Sequence, residues 1–238
     1  MKTFVSAMAL AFAMSTVAMG AVATSVETDI APPGSDPGVP YTPTFASGGP
    51  SSTDLLHGAS PSDQSGDFTR ETSTGTPALT DGSVDTYFGT GTAESVHSAY
   101  ATGADGEYVA YSLGGAFNLT EVVIYGGWND AGRDAQHYDL LASSDMGATF
   151  ALVGSIDVNP GVQGTDVTPV SNRVAFSEDA LAFLATNVTD IRVNFLGVEN
   201  GYTGYTEIDV FGEASPEPTT WLVACCGLLG LASRRRAC

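Results

Sequence analysis

Between Ser51 and Glu213 the chain is a succession of short apolar and β-branched runs, each closed by Gly, Asp, Asn or Ser. No long amphipathic helical pattern interrupts them. Glu107 to Leu113 alternates, with Val109, Tyr111 and Leu113 on one face. Leu119 to Tyr125 is nearly continuous in apolar and β-branched residues, the pattern of a strand covered on both faces. His137 to Ala142 puts Tyr138, Leu140 and Ala142 on one side, and Phe150 to Ile156 follows the turn at Ser144–Gly147. Further runs are Arg173 to Phe176, Val188 to Phe195 and Thr206 to Phe211. Glu178 to Leu184 reads as the one short helix. Roughly seven or eight short strands with irregular loops predict an all-β fold, an antiparallel sandwich or jelly roll.

The chain's 238 residues suffice for one domain of ordinary size with tails. Hydrophobic residues make up 43%, so a packed core is expected. Between residues 24 and 215 the only cations are Arg70, Arg133, Arg173 and Arg192, against 26 acidic residues, a net of −22. A body so charged cannot neutralise phosphates, which excludes nucleic acid as a partner. Neutral partners such as sugars, or cations such as calcium, suit it better. All three cysteines, Cys225, Cys226 and Cys238, lie near the C-terminus, so the body has no disulfides.

Both ends read as addresses. Residues 1–23 have the form of a secretory signal: Lys2, an apolar stretch from Phe4 to Val17, and the small-x-small pattern Ala21-Val22-Ala23. Residues 24–50, with Pro32, Pro33, Pro37, Pro40, Pro43 and Pro50, have linker composition. Residues 51–213 make the sandwich. Residues 214–238 contain Pro216-Glu217-Pro218, an apolar run from Trp221 to Ala232, and Arg234-Arg235-Arg236. Twelve helical residues rise roughly 18 Å, short of a bilayer's roughly 30 Å, so the run is a transient rather than a permanent anchor. The arginines would hold the end on the cytoplasmic side of the inner membrane. This tail resembles the PEP-CTERM sorting signal, which implies export, handling by an exosortase, and residence at the cell envelope, the surface or the extracellular matrix.

Four segments of the body resemble discoidin, or F5/8 type C, domains, whose fold is a galactose-binding-like jelly roll. They are Leu79 to Phe88, Tyr108 to Gly114 continuing to Val122–Tyr125, Tyr138 to Phe150, and Thr206 to Gly212. Ser112, Met146 and Phe88 depart from that pattern. The resemblance implies a structural calcium held by Asp81, Thr86 and Glu207. Asp85 adds an oxygen donor by its spacing in the same loop, and calcium takes six to eight such ligands. The same loop also reads as an ordinary Asp-Gly turn with solvated acids.

A second cluster follows a strong strand. Trp128, Asn129, Arg133 and His137 supply an aromatic plate and polar groups for a sugar, with Tyr202 and Tyr205 as a second plate. Equally, Trp128 could plug the core and Arg133 pair with Asp130 or Asp134. Catalytic motifs are absent: His57, His97 and His137 are isolated, and there is no HExxH, GxSxG or phosphate loop. The expectation is a non-enzymatic, exported carbohydrate-binding module whose partner is extracellular polysaccharide. The alternatives are a structural matrix or adhesion protein without a sugar pocket, and a hydrolase. Exposure of Trp128 and Tyr205 would favour the first, their burial the second, and two carboxylates facing across a cleft the third.

Overall fold

A computed structural model describes residues 17–32, 37–89, 96–101, 107–159, 168–178, 183–197 and 202–216. The short helix expected at Glu178–Leu184, most of the signal segment and all of the tail beyond Pro216 lie largely or wholly outside the described residues.

Among the described residues eleven strands form. They are β1 Val22–Ile30, β2 Pro40–Tyr41, β3 Asp63–Ser65, β4 Thr86–Tyr87, β5 Ala99–Ala101, β6 Tyr108–Gly127, β7 Gln136–Ser143, β8 Ala151–Val158, β9 Val170–Glu178, β10 Ala185–Phe195 and β11 Thr203–Ala214. All pairings between these strands are antiparallel. The long β6 serves two layers. Its first part, Tyr108 to Ser112, lies between β3 and β10, and β10 continues the layer through β7 to β8. Its second part, to Gly127, lies between β11 and β9, with β5 beyond β11 and β1 beyond β9. The partners change near Gly114, whose φ of +71 is the left-handed conformation that glycine adopts at no steric cost. This is the expected jelly-roll sandwich.

The core fills the space between the layers. Val109, Tyr111, Tyr138, Leu140, Ile191 and Val193 face Val122, Ile124, Val174, Phe176, Ile208 and Val210. For Val109, Tyr111, Tyr138 and Leu140 this is the face the alternation assigned, and each fully buried side chain of this size stabilises by about 1.5–3 kcal/mol. The doubly covered run behaves as expected. Val122 and Ile124 join the main core, while Val123 and Tyr125 join Val84 and Ala175 on the outer face of the second layer, under Phe45.

Residues 24–50, expected as a linker, carry both β1 and β2. Val22, Thr24, Val26, Thr28 and Ile30 alternate with period two before the first proline of the stretch, Pro32, so β1 is a strand in its own right. The proline-rich remainder is laid over the second layer. Tyr41 and Thr44 both bond Asp29, and Phe45 packs on Tyr125 at 5.6 Å. The small-x-small pattern ending at Ala23 falls two residues inside β1.

Candidate functional site

Two places hold the residues singled out by the sequence. The first lies under the loops that cover β11. Alternation along β11 sends Ile208 and Val210 into the core and Glu207 and Asp209 to the opposite face. Such a face is ordinarily solvated, yet both carboxylates are almost fully buried, at 0% and 1% exposure. Two chain segments cover them. Ser51 N–H donates to Asp209 Oδ2 (2.9 Å), and Gly82 N–H donates to Glu207 Oε2 (2.9 Å). Asp54 is brought in by the first segment, its Oδ1 accepting from Leu56 N–H (2.7 Å) and Val210 N–H (3.2 Å).

The Asp81 loop thus closes on the last strand, 125 positions away in sequence between Gly82 and Glu207. Of the expected acids, Asp81 lies near enough for its charge to act on Glu207, yet both expected loop acids are engaged elsewhere. Asp81 turns to His97 Nε2 (2.9 Å), and Asp85 accepts from Thr42 Oγ1 (2.6 Å). Asp54 and Asp209 take their place: one carboxylate oxygen from each of Asp54, Glu207 and Asp209 falls within 4.8 Å of the others. Each of the three uses one oxygen on backbone N–H groups and leaves the other, Asp54 Oδ2, Glu207 Oε1 and Asp209 Oδ1, buried without a partner. Thr86 Oγ1 is also buried and unpartnered. Burial pushes the Glu207 carboxyl up to about 9, reinforced by the charges of Asp209, Asp81 and Asp54. Burial likewise pushes Asp209 up to about 7, with Asp54 adding and Arg173 opposing. Orphaned hard oxygens converging under loops fit a divalent cation of the calcium type. Glu207 and Thr86 of the expected set retain free oxygens. Nothing in the sequence singled out Asp54, and Asp209 was legible only as the acid two positions beyond Glu207.

The second place is the end of the sandwich after β6. Trp128 is 2% exposed and Tyr205 0%, so neither ring is a plate for a sugar. Trp128 packs with Tyr100 at 5.7 Å and Tyr100 with Tyr202 at 4.9 Å. Tyr205 lies in the main core against Tyr138 and Phe195, and its hydroxyl accepts from His137 N–H (3.3 Å). Asn129 is buried, and His137 Nδ1 meets the carbonyl of Gly197. The plug reading of Trp128 therefore holds. Arg133 forms an ion pair with a residue the sequence did not single out, its Nη1 lying 2.6 Å from Glu71 Oε2. Its guanidinium lies 5.1 Å from the Trp128 ring and 5.8 Å from those of Tyr100 and Tyr202. Glu71, Thr72 and Arg133 all hold left-handed backbone, with φ of +52, +63 and +69. Such conformations cost of order 1–3 kcal/mol each and persist where surrounding contacts fix them. Of the six expected sugar-binding residues, Arg133 and Tyr202 are brought together with accessible surface; Glu71 was missed because it lies 62 positions from Arg133.

No protein-family model and no curated protein matches the chain. Among solved structures, a family 89 glycoside hydrolase from Clostridium perfringens, in complex with 2-acetamido-1,2-dideoxynojirmycin, aligns at 20% identity and a TM-score of 0.33, over 50% of this chain and 12% of that one. CBM32-1 from a family 31 glycoside hydrolase of Clostridium perfringens aligns at 13% identity and a TM-score of 0.29, over 44% of this chain and 68% of that one. The chain therefore spans only a small part of the first of these proteins and about two thirds of the second.

Proposed function

We propose that the chain is an exported, non-enzymatic surface or matrix protein whose sandwich binds extracellular glycan through the rim around Arg133. One observation carries this reading: a guanidinium caged by three aromatic rings, with its side chain 22% exposed and its ion-pair partner Glu71 48% exposed. A planar donor, a carboxylate acceptor and the half-buried ring of Tyr202 supply what sugar hydroxyls and a sugar ring face require. With a net of −22 on the body, a neutral saccharide is the better match.

Tyr202→Ala and Arg133→Gln should each weaken binding to a neutral polysaccharide about tenfold, as the loss of a contact of roughly 1–2 kcal/mol would. Melting of Tyr202→Ala should change little. Arg133→Lys should not restore affinity, because an ammonium lacks the planar fork. A glycan array, followed by titration of the best binder, makes the measurement. Unchanged affinity in both variants removes the site from this rim.

A second reading, a structural matrix or adhesion protein without a sugar pocket, is favoured by the burial of Trp128 and Tyr205. A glycan array without a binder would select it. As for hydrolysis, Asp54, Glu207 and Asp209 do lie together, but under loops rather than across a cleft, which suits cation holding better than catalysis. We infer a structural calcium held by Glu207, Asp209 and Asp54. The ion would neutralise the carboxylates and tie the two covering loops to β11.

The tail supports sorting at the envelope by an exosortase. Removing residues 216–238 should release or misplace the protein in cell fractionation, and replacing Arg234, Arg235 and Arg236 should act alike because the basic stop is lost. Full-length tail on the mature surface protein would refute the processing step.

A further inference from the structure

Strand β1 ends the second layer. All nine of its residues pair with β9, from Val22 opposite Glu178 to Ile30 opposite Val170, without a bulge. Among the described residues no strand pairs with its other edge. An open edge is a template for another strand, and proteins ordinarily blunt it with lysine, proline, a bulge or short length. β1 has none of these devices.

Its two acids do not guard the edge either. Asp29 is held by Tyr41 Oη (2.7 Å) and Thr44 N–H (2.7 Å), and Glu27 by Ser47 N–H (3.2 Å), on the face that carries the crossing segment. The other face presents Thr24, Val26, Thr28 and Ile30, all β-branched, with Val26 and Ile30 among the exposed large hydrophobics. Such residues make the stronger cross-strand pairs.

The strand is complementary to itself. Antiparallel pairing about Val26 puts Val26 opposite Val26 of the second copy, Thr24 opposite Thr28, Val22 opposite Ile30, Ser25 opposite Glu27 and Ala23 opposite Asp29. No acid meets an acid, and every β-branched residue meets another. Shifting the register so that residues 27 and 29 face each other places Glu27 against Asp29 and loses this match.

We propose that β1 is a self-pairing edge through which two copies of this chain join antiparallel about Val26, merging their second layers across a two-fold axis. The inference is independent of the glycan site. Its central pairs, Thr24 to Thr28, remain even if the chain is processed after Ala23. Each copy carries −19, so repulsion opposes the encounter, and added salt strengthens the pairing by screening it.

The test uses the full chain with Cys225, Cys226 and Cys238 replaced by serine throughout. Sedimentation velocity should show a monomer–dimer equilibrium that shifts to dimer with concentration and with salt. Val26→Lys places two like charges opposite each other and should raise the dissociation constant at least about tenfold. Val26→Thr keeps a β-branched pair and should leave dimerisation in place. Because position 26 meets itself, Val26→Cys should trap a covalent dimer on oxidation. Thr24→Cys should not do so alone but should when mixed with Thr28→Cys. A chain monomeric at every concentration and salt overturns the proposal. So does a dimer untouched by Val26→Lys, which would place the contact on another surface or in the leader or tail. Equal trapping at positions 24 and 26 refutes the register and with it the self-complementary edge.

Discussion

Chelating divalent cations at neutral or alkaline pH should lower the melting temperature by roughly 5–10 °C, and added calcium should restore it. The size follows from linkage: a ligand at a hundred times its dissociation constant stabilises by about 2.7 kcal/mol, and about 1 kcal/mol moves the melting point of a domain this large by about 2–4 °C. Calcium would supply a partner to three orphaned oxygens at once, those of Asp54, Glu207 and Asp209. Magnesium restores less, because it demands near-octahedral geometry and releases water reluctantly.

The pH dependence of the chelated protein has a definite sign. Glu207 is raised from an ordinary value of 4.5 to about 9, and Asp209 from 3.8 to about 7. Over those windows the folded chain holds protons that the unfolded chain has released. Stability is therefore highest below about pH 4 as far as these two groups are concerned, and it is lost as pH rises toward about 9. Calorimetry of chelated protein should show a falling melting temperature from acid to alkaline buffer, and saturating calcium should flatten the slope. Glu207→Gln should remove the calcium response while raising the alkaline stability of the chelated chain, because it deletes a buried charge that has no counterion. Asp209→Asn should also remove the calcium response, with a smaller gain in alkaline stability because Arg173 offsets part of that charge. Asp81→Asn should keep the response, since that carboxylate is engaged by His97. Loss of the response in Asp81→Asn but not in Asp209→Asn would return the ion to the set implied by family resemblance. A melting point indifferent to both chelator and calcium would dispose of the ion altogether.

Trp128→Ala destabilises the fold by about 3–5 kcal/mol, the range for deleting a buried aromatic side chain. The indole is enclosed by Tyr100, the Arg133 guanidinium and the backbone of Gly204. So close is Gly204 that a Cβ there would lie 2.6 Å from the indole and 2.3 Å from the Gly127 carbonyl oxygen, so no side chain fits between them. Loss of the indole also removes one wall of the cage that holds Arg133 in left-handed backbone. Thermal melting should fall by roughly 10 °C or more. Trp128→Phe should cost less by retaining a ring. A Trp128→Ala protein that melts like the unsubstituted chain would mean that the indole does not plug this end. Because its fold is compromised, lost glycan binding in that variant says nothing about direct contact; Tyr202→Ala is the informative substitution.

The strands that carry the core were legible from their alternation. β7 shows Tyr138, Leu140 and Ala142 inward and the second part of β6 is apolar on both faces, and both patterns depend only on side chains pointing alternately up and down. β1 was obscured because its composition was averaged with the prolines that follow it. Period also fails to say whether a face is covered. Glu207 and Asp209 alternate with core residues as a solvated face would, and only the return of residues 51–54 and 82 over β11 takes them out of water. The Trp128 loop failed for the same reason, since an aromatic after a strand is a plate or a plug according to what packs on it. The sequence by itself determined the all-β class, the inward faces and the acidity, because these depend on local period and composition. The tertiary structure decided which acids share a pocket, which rings reach the surface and which strand is left at the edge, because each depends on segments distant along the chain meeting in space.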